Sequence, residues 1–340
     1  MPIDVHAHYV PKRILDVLEA GGSRYGVEVV REEPSCKQCL RFETGMQIRP
    51  FFPRLLEEPE ARIGWMNEAG LDRQILSIWA DIFGYGLPAE KGAAWHGLMN
   101  ESIAGFCDKH SRSFSWLASG PLQDAGRAAR ELERSVRELG AIGAVVAANV
   151  DGVNLGELPL DEYWSAAVAL DVPVFIHPTQ PVPAARSRKY ALNQTVQYTF
   201  DTTLAFGSLV SSGVLDRFPD LKLILSHGGG GVPYLAGRFD CMSERGDRAH
   251  QGMVNTQPPS AYLDRLYYDS ILHSPAALRF LASLVGTDRI VVGTDESFPP
   301  ADRDPLGSLK RAGFSAEDIQ KIGEENPRRL FRHLPREAAA

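Results

Sequence analysis

Long apolar runs are missing from this chain: no stretch approaches the roughly 18 to 20 apolar residues that a membrane-spanning helix needs. A basic excess is missing too. Lys and Arg number 36 against 43 Asp and Glu, giving a net charge of -7 and a pI near 5.8. That balance excludes the basic stripe of a nucleic-acid surface or an anionic-membrane anchor. It leaves room for a small anionic substrate, because a few pocket arginines can oppose the global sign locally. The start, Met1-Pro2-Ile3-Asp4-Val5-His6-Ala7-His8, has no basic segment leading into an apolar stretch. It reads as no signal peptide, and the expected location is the cytoplasm.

Cysteine is scarce, with only Cys36, Cys39, Cys107 and Cys241. Cys36-Lys37-Gln38-Cys39 has the spacing of half a zinc ribbon or a redox pair, but no second Cys-x-x-Cys completes a ribbon. Incidental reduced thiols are the expectation. No Gly-x-Gly-x-x-Gly opens a helix after a strand, so no dinucleotide cofactor is implied. Solenoid repeats, low-complexity tracts and a convincing linker are also lacking.

What remains is an ordinary folded composition, 44% hydrophobic and 23% charged over 340 residues. Short aliphatic runs alternate with helical periodicity. The candidate strands are Ile3–Ala7, Arg73–Ile78, Ser113–Ala118, Ile142–Ala147, Val172–His177, Leu221–Ser226, Arg265–Asp269 and Arg289–Gly293. The candidate helices are Glu58–Ala69, Lys91–Lys109, Ala125–Leu139, Leu160–Leu170, Thr199–Phe218, Pro233–Glu244, Pro275–Leu284 and Ala316–Phe331. Eight strands alternating with eight helices predict a closed (β/α)₈ TIM barrel, with an open doubly wound sheet as the rival. One segment breaks the alternation. Residues 21–54 contain Val27–Val30 and Leu40–Phe42 around the cysteine turn, which predicts a small hairpin or lid inserted after the first strand. The expectation is one domain over residues 1–335 and a frayed tail at 336–340.

His6-Ala7-His8 lies on the first candidate strand, where residues i and i+2 project to the same side. His177 ends the fifth strand, His227 follows the sixth and Asp295 follows the eighth. Barrel closure gathers the carboxyl ends of all strands on one rim, where active sites form. A lone histidine there is more often a hydrogen-bonded structural residue. Four histidines and an aspartate at strand ends, in a chain with nine histidines, point instead to a shared cation. Such ligands suit zinc, with manganese, cobalt or iron as alternatives, and leave a position open for water. His96, His110, His250 and His333 fall on helices or loops and read as surface or packing, while His273 is placed to line the pocket. Trp79, Phe83, Tyr190, Tyr198 and Phe298 are candidate walls for a flat ring, although aromatic residues are as often plain packing.

These segments together resemble the amidohydrolase superfamily, and within it the aminocarboxymuconate-semialdehyde decarboxylase branch. The resemblance spans most of the chain. It rests on Ile3–His8, Arg62-Ile63-Gly64-Trp65-Met66-Asn67-Glu68-Ala69-Gly70, His177-Pro178, Ser226-His227-Gly228-Gly229-Gly230, Pro233 through Arg238, and Gly293-Thr294-Asp295. It implies that His6, His8, His177 and Asp295 hold a single metal and that His227 transfers protons beside it. It also implies that Arg238 reaches the neighbouring subunit's pocket to grip a substrate carboxylate, making the enzyme a homodimer. A second carboxylate-binding arginine maps to Arg49, with Arg54 as a substitute. Strand four, Ala141–Val150, holds neither the lysine nor the glutamate that two-metal members use, which favours one ion. The chain departs from the branch at Asp295-Glu296-Ser297-Phe298-Pro299-Pro300, where Glu296 adds a carboxylate beside the ligand. That extra acid bears on substrate charge or on proton supply.

The implied activity is non-oxidative decarboxylation of an aromatic or unsaturated, muconate-like acid, with catalytic roles for His227 and Asp295 and substrate contacts from Arg49, Arg238, Trp79 and Phe298. A metal-dependent hydrolase or hydratase acting on a lactone, amide or ring-cleavage product is the alternative. A barrel that binds a ligand without turnover is the third reading.

Overall fold

Six consecutive buried residues, Ile3–His8, form β1, and the rest of the fold is organised around them. The computed structural model describes residues 1–32, 37–179 and 186–335. After β1 come β2 (Val27–Glu32), β3 (Lys37–Phe42), β4 (Arg73–Ser77), β5 (Phe114–Ala118), β6 (Gly143–Ala147), β7 (Asn149–Val150) and β8 (Val153–Asn154). The last strands are β9 (Val174–His177), β10 (Leu223–Leu225), β11 (Tyr267–Asp269) and β12 (Ile290–Val291). Eight of these form one parallel sheet in the order β1-β4-β5-β6-β9-β10-β11-β12. The other four make two small antiparallel hairpins, β2 with β3 and β7 with β8.

The two ends of the sheet meet. Val5 N–H donates to the Val292 carbonyl at 2.9 Å, Asp295 N–H donates to the His6 carbonyl at 2.8 Å, and Ala7 forms a parallel bridge with Glu296. The sheet thus curls into a nearly closed TIM barrel, which sets aside the open doubly wound rival. A buried acid pins the seam. Asp4 accepts from Gln74 Nε2 (2.8 Å) on β4, and from Thr294 Oγ1 (2.6 Å), Thr294 N–H (3.1 Å) and His6 N–H (3.0 Å). Burial still pushes its pKa up to about 6, against those hydrogen bonds.

The helices are α1 (Lys12–Gly21), α2 (Pro59–Glu68), α3 (Ala89–Lys109), α4 (Ala125–Arg137), α5 (Asp161–Ala169) and α6 (Tyr198–Ser211). They continue as α7 (Val214–Arg217), α8 (Val232–Ser243), α9 (Pro275–Val285), α10 (Pro305–Arg311), α11 (Ala316–Gln320) and α12 (Asn326–Leu330). Among the described residues no helix is long and apolar enough to cross a membrane.

Every expected barrel strand is present, several of them shorter. The seventh begins at Tyr267 rather than Arg265 because Pro259–Arg265 winds into a 3₁₀ turn. Two expected single helices are divided. Thr199–Phe218 breaks between α6 and α7 at Gly213, whose φ of +73° ends a right-handed helix. Ala316–Phe331 carries a π-turn over Lys321–Glu325, just before Pro327 opens α12 without an N–H to donate. The helices α1 and α10 and the β7–β8 hairpin were not expected.

The inserted hairpin exists, with Val27 paired to Phe42 and Glu32 to Lys37. It packs sideways: Phe42 meets Trp95 of α3 edge-on at 6.3 Å, and none of its strand residues lines the central cavity. The residues that follow bring Arg49 to the cavity and set Phe51 and Phe52 against the Trp79 ring. Cys36 and the tail 336–340 lie outside the described residues. Cys39 is buried within β3, and Gln47 Nε2 approaches its sulfur at 3.5 Å.

Candidate metal centre and cavity

His6 and His8 sit two residues apart on β1 and project together, as strand alternation requires. Their Nε2 atoms are 3.1 Å apart, and His8 Nε2 lies 3.2 Å from His177 Nε2 at the end of β9. Asp295 Oδ1 completes the group at 3.4 Å from both His6 and His8 Nε2. One ligand atom from each of the four residues falls within 4.8 Å of the others, and all four side chains are buried.

Outer partners fix which way the imidazoles face. His6 Nδ1–H donates to Asp269 Oδ2 at 2.7 Å, and His8 Nδ1 contacts Ser77 Oγ at 3.0 Å while that hydroxyl reaches the Ala7 carbonyl. Both Nε2 lone pairs therefore face the centre. Asp295 Oδ1 is buried without a hydrogen-bond donor. Converging nitrogen lone pairs and a bare carboxylate oxygen are unfavourable unless a cation sits among them. Donor atoms around a tetrahedral ion at about 2.1 Å stand about 3.4 Å apart, close to the observed spacing. The donor set fits a single divalent ion.

Electrostatics agree. Burial disfavours a charged His6, but the Asp295 charge and the Asp269 hydrogen bond outweigh it and raise its pKa to about 10. Burial drives His8 down to about 4 and His177 well below its ordinary value. Asp295, although desolvated, is held well below the usual carboxylate range by the His6 charge and by the adjacent His227 ring. The centre is thus an anionic carboxylate among two imidazoles kept neutral by burial, His8 and His177, and a third, His6, that holds a proton between two carboxylates where a bound cation would displace it.

The backbone around the centre is unusual. His227, Asp295, Ser297 and His273 all have positive φ (54°, 54°, 105° and 51°), a conformation that costs non-glycine residues of order 1–3 kcal/mol each. The glycines after His227 serve the same turn. Gly228 and Gly230 also have positive φ, and a side chain at Gly230 would strike the Thr199 carbonyl. The chain leaving β10 doubles back tightly and presents His227 Nε2 to Asp295 Oδ2 at 3.5 Å.

A cavity of about 420 Å³ opens over this centre. His177, His227 and Asp295 form one side of it, and Arg49, Trp79, Tyr198 and Phe298 its walls. Arg49 lies with its guanidinium 4.7 Å from the Phe52 ring and 5.2 Å from that of Trp79. Phe298 packs edge-on against His8 at 5.2 Å. His273 lines the same space. Two expected walls are elsewhere: Tyr190 is 87% exposed, and Phe83 lines a different hollow, its ring tilted against His96.

Two arginines need separate treatment. Arg54 does not line the cavity; it pairs with Glu296, so Arg49 is the arginine that faces it. Glu296, next to Asp295 in sequence, is itself fully buried and outside the cavity lining. Burial raises its pKa against the pull of Arg54. Arg238 is exposed on α8, away from its own chain's cavity, and lines a second groove of about 470 Å³ between α6 and α8. Phe200, 53% exposed, lines both spaces, so the groove begins at the cavity mouth.

Residues 3–333 match the family described as Amidohydrolase. The chain belongs to that family. This amidohydrolase is 32% identical to a 2-amino-3-carboxymuconate-6-semialdehyde decarboxylase of Dictyostelium discoideum, across 97% of its own length and 89% of that protein. It is 27% identical, over 98% of its length and 97% of the relative's, to a 2-keto-4-carboxy-3-hexenedioate hydratase of a Sphingobium species. Among solved structures, a dihydroxybenzoic acid decarboxylase from Polaromonas sp. JS666, with bound manganese and 2-nitroresorcinol, superposes at a TM-score of 0.77. It shares 26% identity, covering 97% of this chain and 96% of that one. A 5-carboxyvanillate decarboxylase from Sphingomonas paucimobilis gives 0.81 at 23% identity, covering 97% and 98% of the two chains, a likeness of fold.

Sequence reasoning missed several groups that hold the amidohydrolase centre in place. Asp269 is the main one: it accepts from His6 Nδ1, from His227 N–H at 2.8 Å and from Gly228 N–H at 2.9 Å. It ends the seventh barrel strand, the same positional signal that selected His177. Arg62, prominent in the resemblance but without an expected role, is fully buried. Its Nη2 donates to the Arg54 carbonyl and to Ser297 Oγ, both at 2.8 Å, and Nε pairs with Glu57 at 3.2 Å. It ties the segment bearing Arg49 to the loop bearing Asp295. Removing a buried, paired charge of this kind typically costs about 3–5 kcal/mol.

Proposed function

We propose that this amidohydrolase is a metal-dependent, non-oxidative decarboxylase of an aromatic or unsaturated, muconate-like carboxylic acid. The observation that carries the reading is one cavity walled by Arg49 and aromatic rings on one side and by His177, His227 and Asp295 on the other. Full-length similarity to a carboxymuconate-semialdehyde decarboxylase supports it.

We assign His6, His8, His177 and Asp295 as ligands of one divalent ion, which when bound would supply Lewis-acid polarisation of a substrate oxygen. Zinc follows from the donor set, and manganese is the ion bound in the Polaromonas relative. Arg49 takes the carboxylate, and Trp79 and Phe298 bracket the flat part of the substrate. His227, beside Asp295, delivers a proton to the carbon that bears the carboxylate. As that C–H bond forms and the C–C bond breaks, the bonding pair returns to the conjugated system and carbon dioxide leaves: RCO₂⁻ + H⁺ → RH + CO₂.

The reading extends to a cytoplasmic homodimer. Phe200 and Leu204 expose apolar surface at 53% and 56% along the α6–α8 groove that begins at the cavity mouth, and Tyr234 of α8 is 84% exposed. A second copy seated there would bury that surface and carry its Arg238 towards this chain's substrate.

Hydration of a ring-cleavage product is the second reading, favoured by the 27% identity to the hydratase along nearly the whole chain. One experiment separates the two. Purified protein loaded with Zn²⁺ or Mn²⁺ is offered hydroxybenzoates and muconate-type acids while carbon dioxide is monitored. Release of carbon dioxide from one of these acids is expected. Water uptake without carbon dioxide would transfer the assignment to a hydratase.

A further inference from the structure

Arg49 does not face the cavity alone. Its Nη2 stands 3.6 Å from Oδ2 of Asp81, an ion pair too long for a hydrogen bond. The Asp81 side chain is only 1% exposed, on the turn after β4. Two further donors reach it: Thr179 Oγ1 at 3.2 Å, two residues past His177, and Tyr198 OH at 3.5 Å, from the start of α6. Donors from three elements are the surroundings of a carboxylate rather than of a carboxylic acid. Arg49 Nε, in contrast, is buried and meets no acceptor, so one edge of the guanidinium is left for a ligand.

Two anions therefore share one guanidinium, the fixed Asp81 and the arriving substrate carboxylate. A carboxylate within hydrogen-bonding reach of Arg49 stands a few ångströms from Asp81, and like charges at that range in a partly dry cavity repel appreciably. The repulsion acts on the reactant anion. It disappears as that anion becomes neutral carbon dioxide. An arginine at full strength would do the reverse, stabilising the ground state that has to be given up.

We propose that Asp81 tempers Arg49, weakening the hold on the substrate carboxylate and thereby hastening its loss as carbon dioxide. This makes Asp81 a positioning and specificity-determining residue for the decarboxylation, and it rests on the reading that Arg49 binds the carboxylate.

The test compares the Mn²⁺-loaded wild type with Asp81→Asn, Arg49→Gln and the double variant. Binding of 2,6-dihydroxybenzoate and of its carboxylate-free counterpart resorcinol is measured by calorimetry, and kcat and KM are measured on the acid that releases carbon dioxide. Asp81→Asn is expected to bind the carboxylate probe about tenfold tighter, with resorcinol unchanged, and to lower both KM and kcat. Loss of a merely structural contact would weaken both probes together. A variant that fails to bind the carboxylate probe better than the wild type overturns the proposal. Arg49→Gln is expected to weaken the carboxylate probe and to abolish the tightening when combined with Asp81→Asn. If Arg49→Gln leaves the carboxylate probe unaffected, the assignment of Arg49 is what fails, and the double variant then reports on Asp81 alone.

Discussion

Asp269 Oδ2 lies 2.7 Å from His6 Nδ1 although 263 residues separate the two in sequence, and the same carboxylate accepts the backbone N–H of His227. One acid therefore sets both the tautomer of a proposed metal ligand and the position of the proposed proton carrier. Its own pKa, although burial opposes ionisation, is held below the usual range by the His6 hydrogen bond and charge. Asp269→Asn would turn an NH₂ group towards the N–H groups it now accepts and release His6. Outer-partner losses of this kind typically cost roughly 10- to 100-fold in metal affinity. We expect that drop in a competition titration with a zinc chelator; an unchanged affinity would mean that His6 is held by its ring packing alone.

Asp295 and His227 separate binding from chemistry. Both have φ of 54°, which asparagine tolerates, so Asp295→Asn and His227→Asn leave the backbone undisturbed. Asp295→Asn is expected to lose bound metal, measured by elemental analysis, and all turnover with it. His227→Asn is expected to keep one ion per chain and to lose roughly 10²- to 10⁴-fold in kcat. A His227→Asn protein that loses its metal would make His227 a ligand and require the centre to be redrawn.

How much of this was readable from the chain depends on whether a residue acts at a strand end or through a partner. The barrel strands were visible as short aliphatic runs, and the convergence of His6, His8, His177 and Asp295 was legible because barrel closure maps strand ends to one rim. The break at Gly213 and the π-turn before Pro327 were not visible, because helical periodicity continues across both. Glu296 shows the limit most clearly. Its neighbour in sequence is a proposed metal ligand, but its carboxylate turns to Arg54, a choice made by a charge 242 residues away. Asp81 was passed over for the same reason, since its meaning comes from Arg49, Thr179 and Tyr198, all distant in sequence.

Acid stability should carry a signature of His96. Its ring is fully buried on α3 with Nδ1 2.8 Å from Ser119 Oγ, and burial lowers its pKa from 6.5 to about 3. Between those values the unfolded chain binds a proton that the folded chain refuses, so stability falls with pH by about 1.4 kcal/mol per unit. Asp4 and Asp201, both raised to about 6 by burial, act in the opposite sense, taking up protons in the folded state first. The comparison is therefore made within a pair of proteins. In urea unfolding, the stability advantage of the wild type over His96→Gln should shrink as pH falls from 7 to 5. A constant gap would show that His96 accepts its proton as readily folded as unfolded.

The proposed exchange of Arg238 between subunits admits a test that no single-chain explanation can pass. Arg238→Gln alone should raise KM for the acid, while His227→Asn alone should abolish turnover. In a mixed dimer the Arg238→Gln chain keeps His227 and receives an intact Arg238 from the partner, so one of its two sites is whole. Half of the dimers formed on random pairing are mixed, so refolding the two variants together should restore about a quarter of wild-type sites, with wild-type KM. Mixing without subunit exchange should restore none. If Arg238 instead served its own chain, no site in the mixed dimer would contain both residues, and co-refolding would yield only the sum of the two variants.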